Sequence, residues 1–266
     1  YSRRVSDVDL SRLRFALNGG EPIDCAGYQL FLTEFGRFGL DPHAAAPSYG
    51  LAEASCAVTI PRPGTGLLVD ETVDVTTGST QRHALVGEVI PGMELRVVPT
   101  ERSDAVGAEV GEIQIRGPWI TGSYYEHEGP AVTPDGWLST GDVGTISADA
   151  FITLTDRSKD VIKSGGEWIS SVELENELAA HPAIRTATVI GVPDDKWQER
   201  PLAVVVLDAG RTATAAELSE FLRPRVAKWW LPDDVVFLDE LPHTATGKVL
   251  KLELRKQFRD HRLPTV

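Results

Sequence analysis

The chain has 266 residues, of which 42% are hydrophobic and 24% are charged, as in an ordinary globular protein. Its formal net charge of −13 argues against a nucleic-acid-binding surface, which needs a basic footprint. Its two cysteines show no metal-ligand spacing, which argues against a disulfide framework and a structural zinc site. No apolar run is long enough for a transmembrane segment, and a reducing cytoplasm is the expected location.

The first elements follow from short patterns. Residues 13–17 are apolar and predict a buried strand that ends in a tight loop at residues 18–20. Asp24 is a suitable N-cap for a following helix that runs to about residue 37. A second strand is expected to end near Ser48.

The middle of the chain changes character twice. Residues 60–82 are rich in Pro, Gly and Thr and predict an irregular connection. Over residues 86–154, short apolar runs alternate with Gly, Pro and Asp turns, which predicts a small β-barrel or twisted sheet. The runs are residues 93–98, 111–116 and 151–154.

The last part predicts a compact α+β unit. Ser170 and Thr214 each stand three residues before a glutamate, so each is expected to begin a helix with a capping box, the second helix running to about residue 228. A terminal helix is expected from about Leu250. Apolar strands are expected at residues 187–192, 202–207 and 235–238. We therefore predict an α/β domain over residues 1–156 and a small α+β domain over residues 157–266.

Several residue types suit chemistry on a nucleotide. Tyr49 leaves the end of a predicted strand, where α/β folds bind ligands, and its ring could stack on a purine. Glu53 could reach a magnesium ion. Asp142 could accept hydrogen bonds from the two hydroxyls of a ribose, and Arg157 offers a fork of donors to hydroxyl or phosphate oxygens. From these residues alone, a surface turn, a capping aspartate and a solvated arginine are the alternatives.

Two glycine-containing loops follow. Gly165 and Gly166 would let a thin ligand approach the backbone closely, although a simple turn before a helix is the alternative. Lys248 follows Gly247 and would provide a mobile point charge. Position 242 is proline rather than glycine, so this segment is not a phosphate-binding P-loop.

Four segments occur in an informative order: Ser48-Tyr49-Gly50-Leu51-Ala52-Glu53, Ser139-Thr140-Gly141-Asp142, Asp156-Arg157-Ser158-Lys159-Asp160 and Thr246-Gly247-Lys248. In this order they resemble the later motifs of the adenylate-forming enzymes, the family of acyl-CoA ligases, fatty acyl-AMP ligases and luciferases. The resemblance implies a large adenylation domain, represented by a sheet end and a small β-barrel, followed by a small mobile α+β domain.

The resemblance also implies roles for individual residues. Tyr49 would pack on adenine, Glu53 would bind Mg²⁺, Asp142 and Arg157 would hold the ribose of ATP, and Lys248 would be the catalytic lysine. Lys159 would be the hinge on which the small domain moves. The other residues implied in nucleotide binding are Gly19, Gly20, Glu21, Gly50, Leu51 and Ala52. Those implied in CoA binding are Gly165, Gly166, Glu167 and Trp168.

The resemblance leaves three functions open. The first is a ligase that activates a medium- or long-chain fatty acid with ATP and transfers it to CoA, which the Gly-Gly-Glu-Trp segment favours. The second is a fatty acyl-AMP ligase that loads an acyl carrier protein, which is favoured by Ala52 where most CoA ligases have threonine. The third is an inactive piece or a binding module, because no segment resembles the family's phosphate loop. That loop is expected in an N-terminal half, in cis or as a separate chain.

Overall fold

The computed structural model describes residues 8–20, 22–73, 80–99, 110–126, 128–147, 151–245 and 247–264. The chain divides into two compact units. The first comprises Tyr1–Thr72 and Arg82–Thr155, and the second comprises Val73–Gln81 and Asp156–Val266. Within the described ranges, no helix has the length and apolarity that crossing a bilayer requires.

The first unit begins with two parallel strands and a helix between them. These are β1 (Ala16–Asn18), α1 (Cys25–Gly36) and β2 (Ala45–Pro47). The Asp24 carboxylate caps α1 as predicted, accepting hydrogen bonds from the amides of Ala26 and Gly27. The expectation of a buried strand at residues 13–17 is wrong in part. β1 is short and Leu17 is 58% exposed, since β2 is its one partner in the described residues.

Four short strands follow in two pairs. β3 (Thr59–Ile60) pairs with β6 (Glu88–Val89), and β4 (Val69–Val73) pairs with β5 (Thr80–Ala84). The irregular connection predicted over residues 60–82 is therefore wrong for β4. The prolines and glycines that suggested a loop cluster at residues 61–66, before the strand begins.

A four-stranded sheet completes the first unit, in the order β10-β9-β8-β7. The strands are β7 (Glu94–Pro99), β8 (Gly111–Arg116), β9 (Leu138–Ile146) and β10 (Ile152–Arg157). Ile113, Ile115, Leu138 and Ile152 are buried and pack in one cluster with Tyr49. The predicted small barrel is corrected here. In the described residues the sheet is open, with β7 and β10 at its edges.

The second unit is built around one mixed sheet. Its strands are β11 (Ile162–Ser164), β12 (Glu167–Ile169), β13 (Ile184–Asp194), β14 (Gln198–Leu207) and β15 (Asp234–Phe237). β13 pairs with β14 antiparallel along its length, and β15 lies parallel to β14. The helices are α2 (Ser171–Ala179), α3 (Ala215–Leu222) and α4 (Lys251–Gln257). The mixed α/β fold expected from the sequence is confirmed.

β14 separates two apolar clusters, because successive side chains of a strand point to opposite faces. Ala203 and Val205 pack in the cluster that holds the buried leucines of α2 and α3. Leu202 and Val204 pack in the other cluster, with Leu254 of α4. The helices therefore cover both faces of this sheet.

The two predicted N-caps of this unit are present. Ser170 accepts a hydrogen bond from the Glu173 amide, and Thr214 forms a complete capping box with Glu217. The predicted extent of α3 to about residue 228 is wrong, since the helix ends at Leu222. Pro224 follows closely and has no amide hydrogen to continue the helical pattern.

Candidate functional site

The parallel pairing of β1 and β2 brings two predicted loops together in the first unit. The Ser48 amide donates to the Asn18 carbonyl over 2.8 Å, just past the paired strand ends. Gly19 lies so close to Ser48 that an added Cβ atom would approach the Ser48 carbonyl oxygen to 2.5 Å. Gly20 has a φ of 92°, which glycine adopts without strain. Glu21, also predicted to contact the nucleotide, lies outside the described residues.

The loop after β2 has a tightly specified backbone. The carbonyl of Tyr49 accepts hydrogen bonds from the amides of Val58 and Thr59 over 2.9 and 3.0 Å. Gly50 is packed against Cys56, and any Cβ atom there would collide with the Cys56 carbonyl. Leu51 is half-buried, and Ala52 is exposed at the start of a 3₁₀ turn.

A bulge in β9 determines the position of Asp142. Glu112 of β8 pairs with Val143 and Gln114 pairs with Ser139, so residues 140–142 bulge opposite a single residue of β8. The Thr140 hydroxyl stabilises the bulge by donating to the Ile113 carbonyl over 2.7 Å and accepting from the Asp142 amide over 3.1 Å. Gly141 has a φ of 73°.

The bulge places Asp142 against Tyr49. The Tyr49 hydroxyl donates to Oδ2 of Asp142 over 2.7 Å, and both side chains are buried, at 5% and 8% exposure. Two residues predicted from separate segments to bind adenine and ribose are thus in direct contact. The hydrogen bond fixes the orientation of the carboxylate beside the tyrosine ring.

Glu53 has a partner that the sequence did not reveal. The Tyr124 hydroxyl donates to Oε1 of Glu53 over 3.0 Å, and the Thr121 amide donates to the Glu53 carbonyl over 2.7 Å. Burial, followed by the hydrogen bond and charge of Glu53, raises the pKa of Tyr124. No cluster of three metal-ligating side chains occurs in the part of the chain that the structure describes. A lone carboxylate fits Mg²⁺ that is bound mainly through nucleotide phosphates.

In the second unit, the turn at residues 156–160 has a buried residue at each end and exposed residues between them. Asp156 and Asp160 are buried, whereas Arg157 and Lys159 are exposed. Asp156 accepts hydrogen bonds from the amides of Arg157 and Ser171, each over 2.7 Å. The buried Asp156 carboxylate therefore ties the turn to the start of α2, while the two predicted site residues, Arg157 and Lys159, are exposed.

A buried polar network ties this turn to α4. Nζ of Lys251 lies 2.7 Å from Oε1 of Glu175 and 2.7 Å from the Ser171 hydroxyl, which lies 3.0 Å from Oδ2 of Asp156. Burial raises the pKa of Glu175 and that of Asp156, and the charge of Lys251 opposes both shifts. Arg255, one turn further along α4, pairs with Asp160 over 2.9 Å. Nothing in the motif spacing had pointed to Lys251 or Arg255.

The predicted glycine loop is the turn of a β-hairpin. β11 and β12 are antiparallel with Ser164 opposite Glu167, so Gly165 and Gly166 form a two-residue turn. Their φ values of 59° and 93° suit a type I′ turn, which needs positive φ at both central positions. The Gly165 amide donates to the Trp197 carbonyl over 2.8 Å. Trp168 of β12 is half-buried opposite Lys163.

Lys248 ends a second turn in the same unit. The Thr244 amide donates to the Lys248 carbonyl over 2.7 Å, and the Gly247 amide donates to the Thr244 carbonyl over 3.0 Å. Gly247 has a φ of 87°, and Lys248 is exposed. Thr246 lies outside the described residues. Because α4 begins at Lys251, the network beneath the 156–160 turn also anchors the helix that follows the Lys248 turn.

Comparison with known proteins adds two matching family models. A model of the AMP-binding enzymes matches residues 2–125, and a model of the AMP-binding enzyme C-terminal domain matches residues 173–248. Together the two stretches include most of the chain. The first includes Tyr49 and Glu53, and the second ends at Lys248.

Named relatives are CoA ligases. The chain is 52% identical to 3-methylmercaptopropionyl-CoA ligase of Ruegeria lacuscaerulensis over 64% of the chain and 32% of that protein. It is 48% identical to the long-chain-fatty-acid–CoA ligase of Thermus thermophilus over 67% of the chain and 34% of that protein. The crystal structure of ATP-bound MatB from Rhodopseudomonas palustris superposes with a TM-score of 0.72 at 28% identity. That match covers 92% of the chain and 46% of MatB, so the matched part of the chain spans 32% to 46% of the length of these proteins.

Proposed function

Because the chain belongs to the superfamily of adenylate-forming enzymes, we propose that it serves ATP-dependent ligation of a carboxylic acid to a thiol. In the first step a carboxylate oxygen attacks the α-phosphorus of ATP, and pyrophosphate leaves. In the second step a thiol sulfur attacks the acyl carbon, AMP leaves, and the thiol proton passes to solvent. The protein contributes chiefly by positioning the reactants and stabilising developing charge.

The observation that carries this proposal is the hydrogen bond between Tyr49 and Asp142. A ribose needs a carboxylate to accept from its vicinal hydroxyls, and its attached adenine needs a flat apolar surface. A buried tyrosine that orients a buried aspartate meets both needs in one place. In our proposal Gly19, Gly20 and Glu21 border the adenine, together with residues 50–52.

The remaining assignments concern the reacting groups. Glu53 would hold Mg²⁺, which screens the phosphate charges of ATP when bound. Lys248 would stabilise charge between the carboxylate and the α-phosphate, and Arg157 would contact the ribose. Lys159 would be the hinge between the domains at residues 1–156 and 157–266. The exposure of Arg157, Lys159 and Lys248 supports these roles, since each side chain must reach a ligand.

We propose CoA as the acceptor and a medium- or long-chain fatty acid as the acid. The hairpin turn at Gly165 and Gly166, with Glu167 and Trp168 behind it, supports CoA, because side-chain-free turn positions let a thin pantetheine arm approach the backbone. The acid is proposed from the Thermus relative. The Ruegeria relative is named for a much smaller thioether acid, so acid length needs its own measurement.

The test uses the 266-residue chain with preformed acyl-AMP, so that only the second step is required. Methylthiopropanoyl-, hexanoyl- and hexadecanoyl-AMP would each be offered with CoA or with an acyl carrier protein that bears the phosphopantetheine arm. Thioester yield and AMP release would be measured together. We expect thioester on CoA with the fatty acyl groups. Thioester on the carrier protein alone would favour the acyl-AMP ligase that Ala52 suggests.

AMP binding tests the first-unit assignments separately. Calorimetric titration of the chain with AMP should give a measurable affinity, weakened at least about tenfold by Asp142→Asn, about 1.4 kcal/mol. An affinity that Asp142→Asn leaves unchanged would contradict the nucleotide site. Absence of thioester with either thiol would contradict the transfer function.

A further inference from the structure

Arg200 is a buried cation next to the apolar part of β14. It stands in β14 just before Pro201 and the apolar residues 202–206, and its side chain is 11% exposed. Its Nε and Nη2 atoms donate to the two carboxylate oxygens of Asp233 over 2.9 and 2.7 Å. This bidentate geometry uses the planar fork of arginine, which a lysine ammonium does not reproduce.

The other donors of Arg200 reach two further segments. Nη1 donates to the Ser164 hydroxyl over 3.0 Å and to the Trp229 carbonyl over 2.9 Å. Nη2 also donates to the Leu231 carbonyl over 3.3 Å. One guanidinium therefore connects the end of β11, where the glycine turn begins, with the segment 229–233 that precedes β15.

A cavity of about 970 Å³ lies between the segments that Arg200 connects. Its lining includes Gly165 of the turn and the indole rings of Trp197 and Trp229, each of which is 43% exposed. Nζ of Lys196 lies 4.5 Å from the centre of the Trp197 ring. An added Cβ atom at Gly165 would stand 2.6 Å from that ring, so the turn and the indole are in close contact.

We propose that Arg200 is a positioning residue for thiol transfer: through Ser164 it holds the Gly165–Gly166 turn at a fixed place beside this cavity. The inference rests on the proposed function, because the turn is where we place the acceptor. Burying a cation costs free energy that an apolar residue at this position would avoid. The hydrogen bonds named above join the last residue of β11 to the segment 229–233, so Arg200 links two separate segments of the chain. A side chain that served the core alone would need none of them.

The variants separate positioning from stability. Ser164→Ala removes the link to the turn and leaves the pair with Asp233 in place. Arg200→Lys keeps the charge and removes the fork. The double variant Arg200→Met, Asp233→Leu removes both charges, so that neither is left buried without its partner.

Arg223→Lys is the matched control, since Arg223 makes a similar two-donor contact with Glu220 on the exposed side of α3. Leu178→Ala, a core change in α2 outside the reference helix, reports a purely global loss of stability.

Two measurements are made on the full chain. Hydrogen exchange of the Gly165 amide reports the turn, with the amides of α3 as the internal reference, and titration with CoA reports the acceptor site. We expect Ser164→Ala, Arg200→Lys and the double variant to accelerate exchange at Gly165 at least tenfold relative to α3. We expect the same three variants to weaken CoA binding at least tenfold. Arg223→Lys should change neither measurement.

Exchange at Gly165 that follows exchange in α3 in every variant, as expected for Leu178→Ala, would overturn the positioning role. So would faster exchange at Gly165 with unchanged CoA affinity. If the unmodified chain does not bind CoA, the acceptor in the proposed function is wrong. The exchange rates then still decide whether Arg200 holds the turn.

Discussion

The hydroxyl of Tyr49 and the carboxylate of Asp142 are joined by a hydrogen bond of 2.7 Å although the two residues stand 93 positions apart. Tyr49 lies just after the end of β2, and the bulge in β9 determines the position of Asp142. The contact depends on the strand ends of one sheet meeting the irregular strand of another. It also joins two of the sequence motifs into one surface suited to a nucleoside.

Replacing Tyr49 with phenylalanine should weaken this surface while keeping its ring. The buried Asp142 carboxylate would lose a charge-assisted hydrogen bond, and we expect about 1–3 kcal/mol less stability and an AMP dissociation constant about tenfold higher. Tyr28→Phe is the matched control, because the Tyr28 hydroxyl is also buried in the first unit and bonds the Ala16 carbonyl over 3.1 Å. It should lower stability without changing AMP affinity. Equal effects of the two variants on AMP would contradict the role of Asp142.

Gly165→Ala should damage the hairpin turn. An alanine there would carry the strain of a φ of 59° and would press its Cβ atom against the Trp197 ring. We expect the rate of thioester formation from supplied acyl-AMP to fall at least tenfold, which corresponds to an activation free energy higher by about 1.4 kcal/mol. Gly210→Ala is the control, because Gly210 has a φ of 76° in the same unit with open space around it. If both variants lower the rate equally, backbone strain alone is responsible.

Lys248→Ala should separate the two half-reactions. If the ammonium stabilises charge during acyl-adenylate formation, its loss should slow that step by about 10²–10³, the usual effect of removing one preorganised donor. Thioester formation from supplied acyl-AMP should be unchanged. Pyrophosphate release and thioester yield would be followed in parallel with the chain joined to the N-terminal half that is expected to carry the phosphate loop. Lys256→Ala is the control, since Lys256 is an exposed lysine that pairs with Glu253 on α4. Unchanged pyrophosphate release would remove Lys248 from the mechanism.

Lys251→Met should make stability more sensitive to pH. Burial raises the pKa of Asp156 above its ordinary 3.8 and that of Glu175 above its ordinary 4.5, and Lys251 opposes both shifts. A raised pKa means that the folded protein retains a proton that the unfolded chain has lost. Stability therefore falls as pH rises from the ordinary pKa of each carboxyl group to its raised pKa in the folded protein. Without Lys251 both pKa values rise further and the fall is larger.

We therefore expect Lys251→Met to lose little stability near pH 4 and about 2–3 kcal/mol more near pH 7.5. This is less than for a fully buried pair, because the side chains of Lys251 and Glu175 remain 15% and 20% exposed. Urea unfolding at the two pH values gives the comparison. Lys256→Met, an exposed change on the same helix, should show no such pH dependence. A loss of equal size at both pH values would show that Lys251 contributes packing rather than charge.

The sequence was sufficient for features that depend on neighbouring residues. Asp24 and Thr214 cap helices as predicted, because a cap needs a side chain and amides two or three positions away. The strand expected at residues 111–116 is β8 with the same bounds. The family could also be predicted from the sequence, because its four short motifs occur in a fixed order along the chain. The functional roles of the residues within those motifs remain predictions.

Only the tertiary structure decided which of those residues meet. The bulge at residues 140–142 depends on the register between β8 and β9, which no local pattern in β9 determines. The partners of Glu53 and Arg200 come from segments far along the chain, and a lone tyrosine or arginine gives no sign of its partner. The charge environment of Glu175 is also a tertiary property, since burial raises its pKa while Lys251 of α4 opposes the shift. Long-range contacts fix these positions and charges, and such contacts have no counterpart in the spacing of residues along the chain.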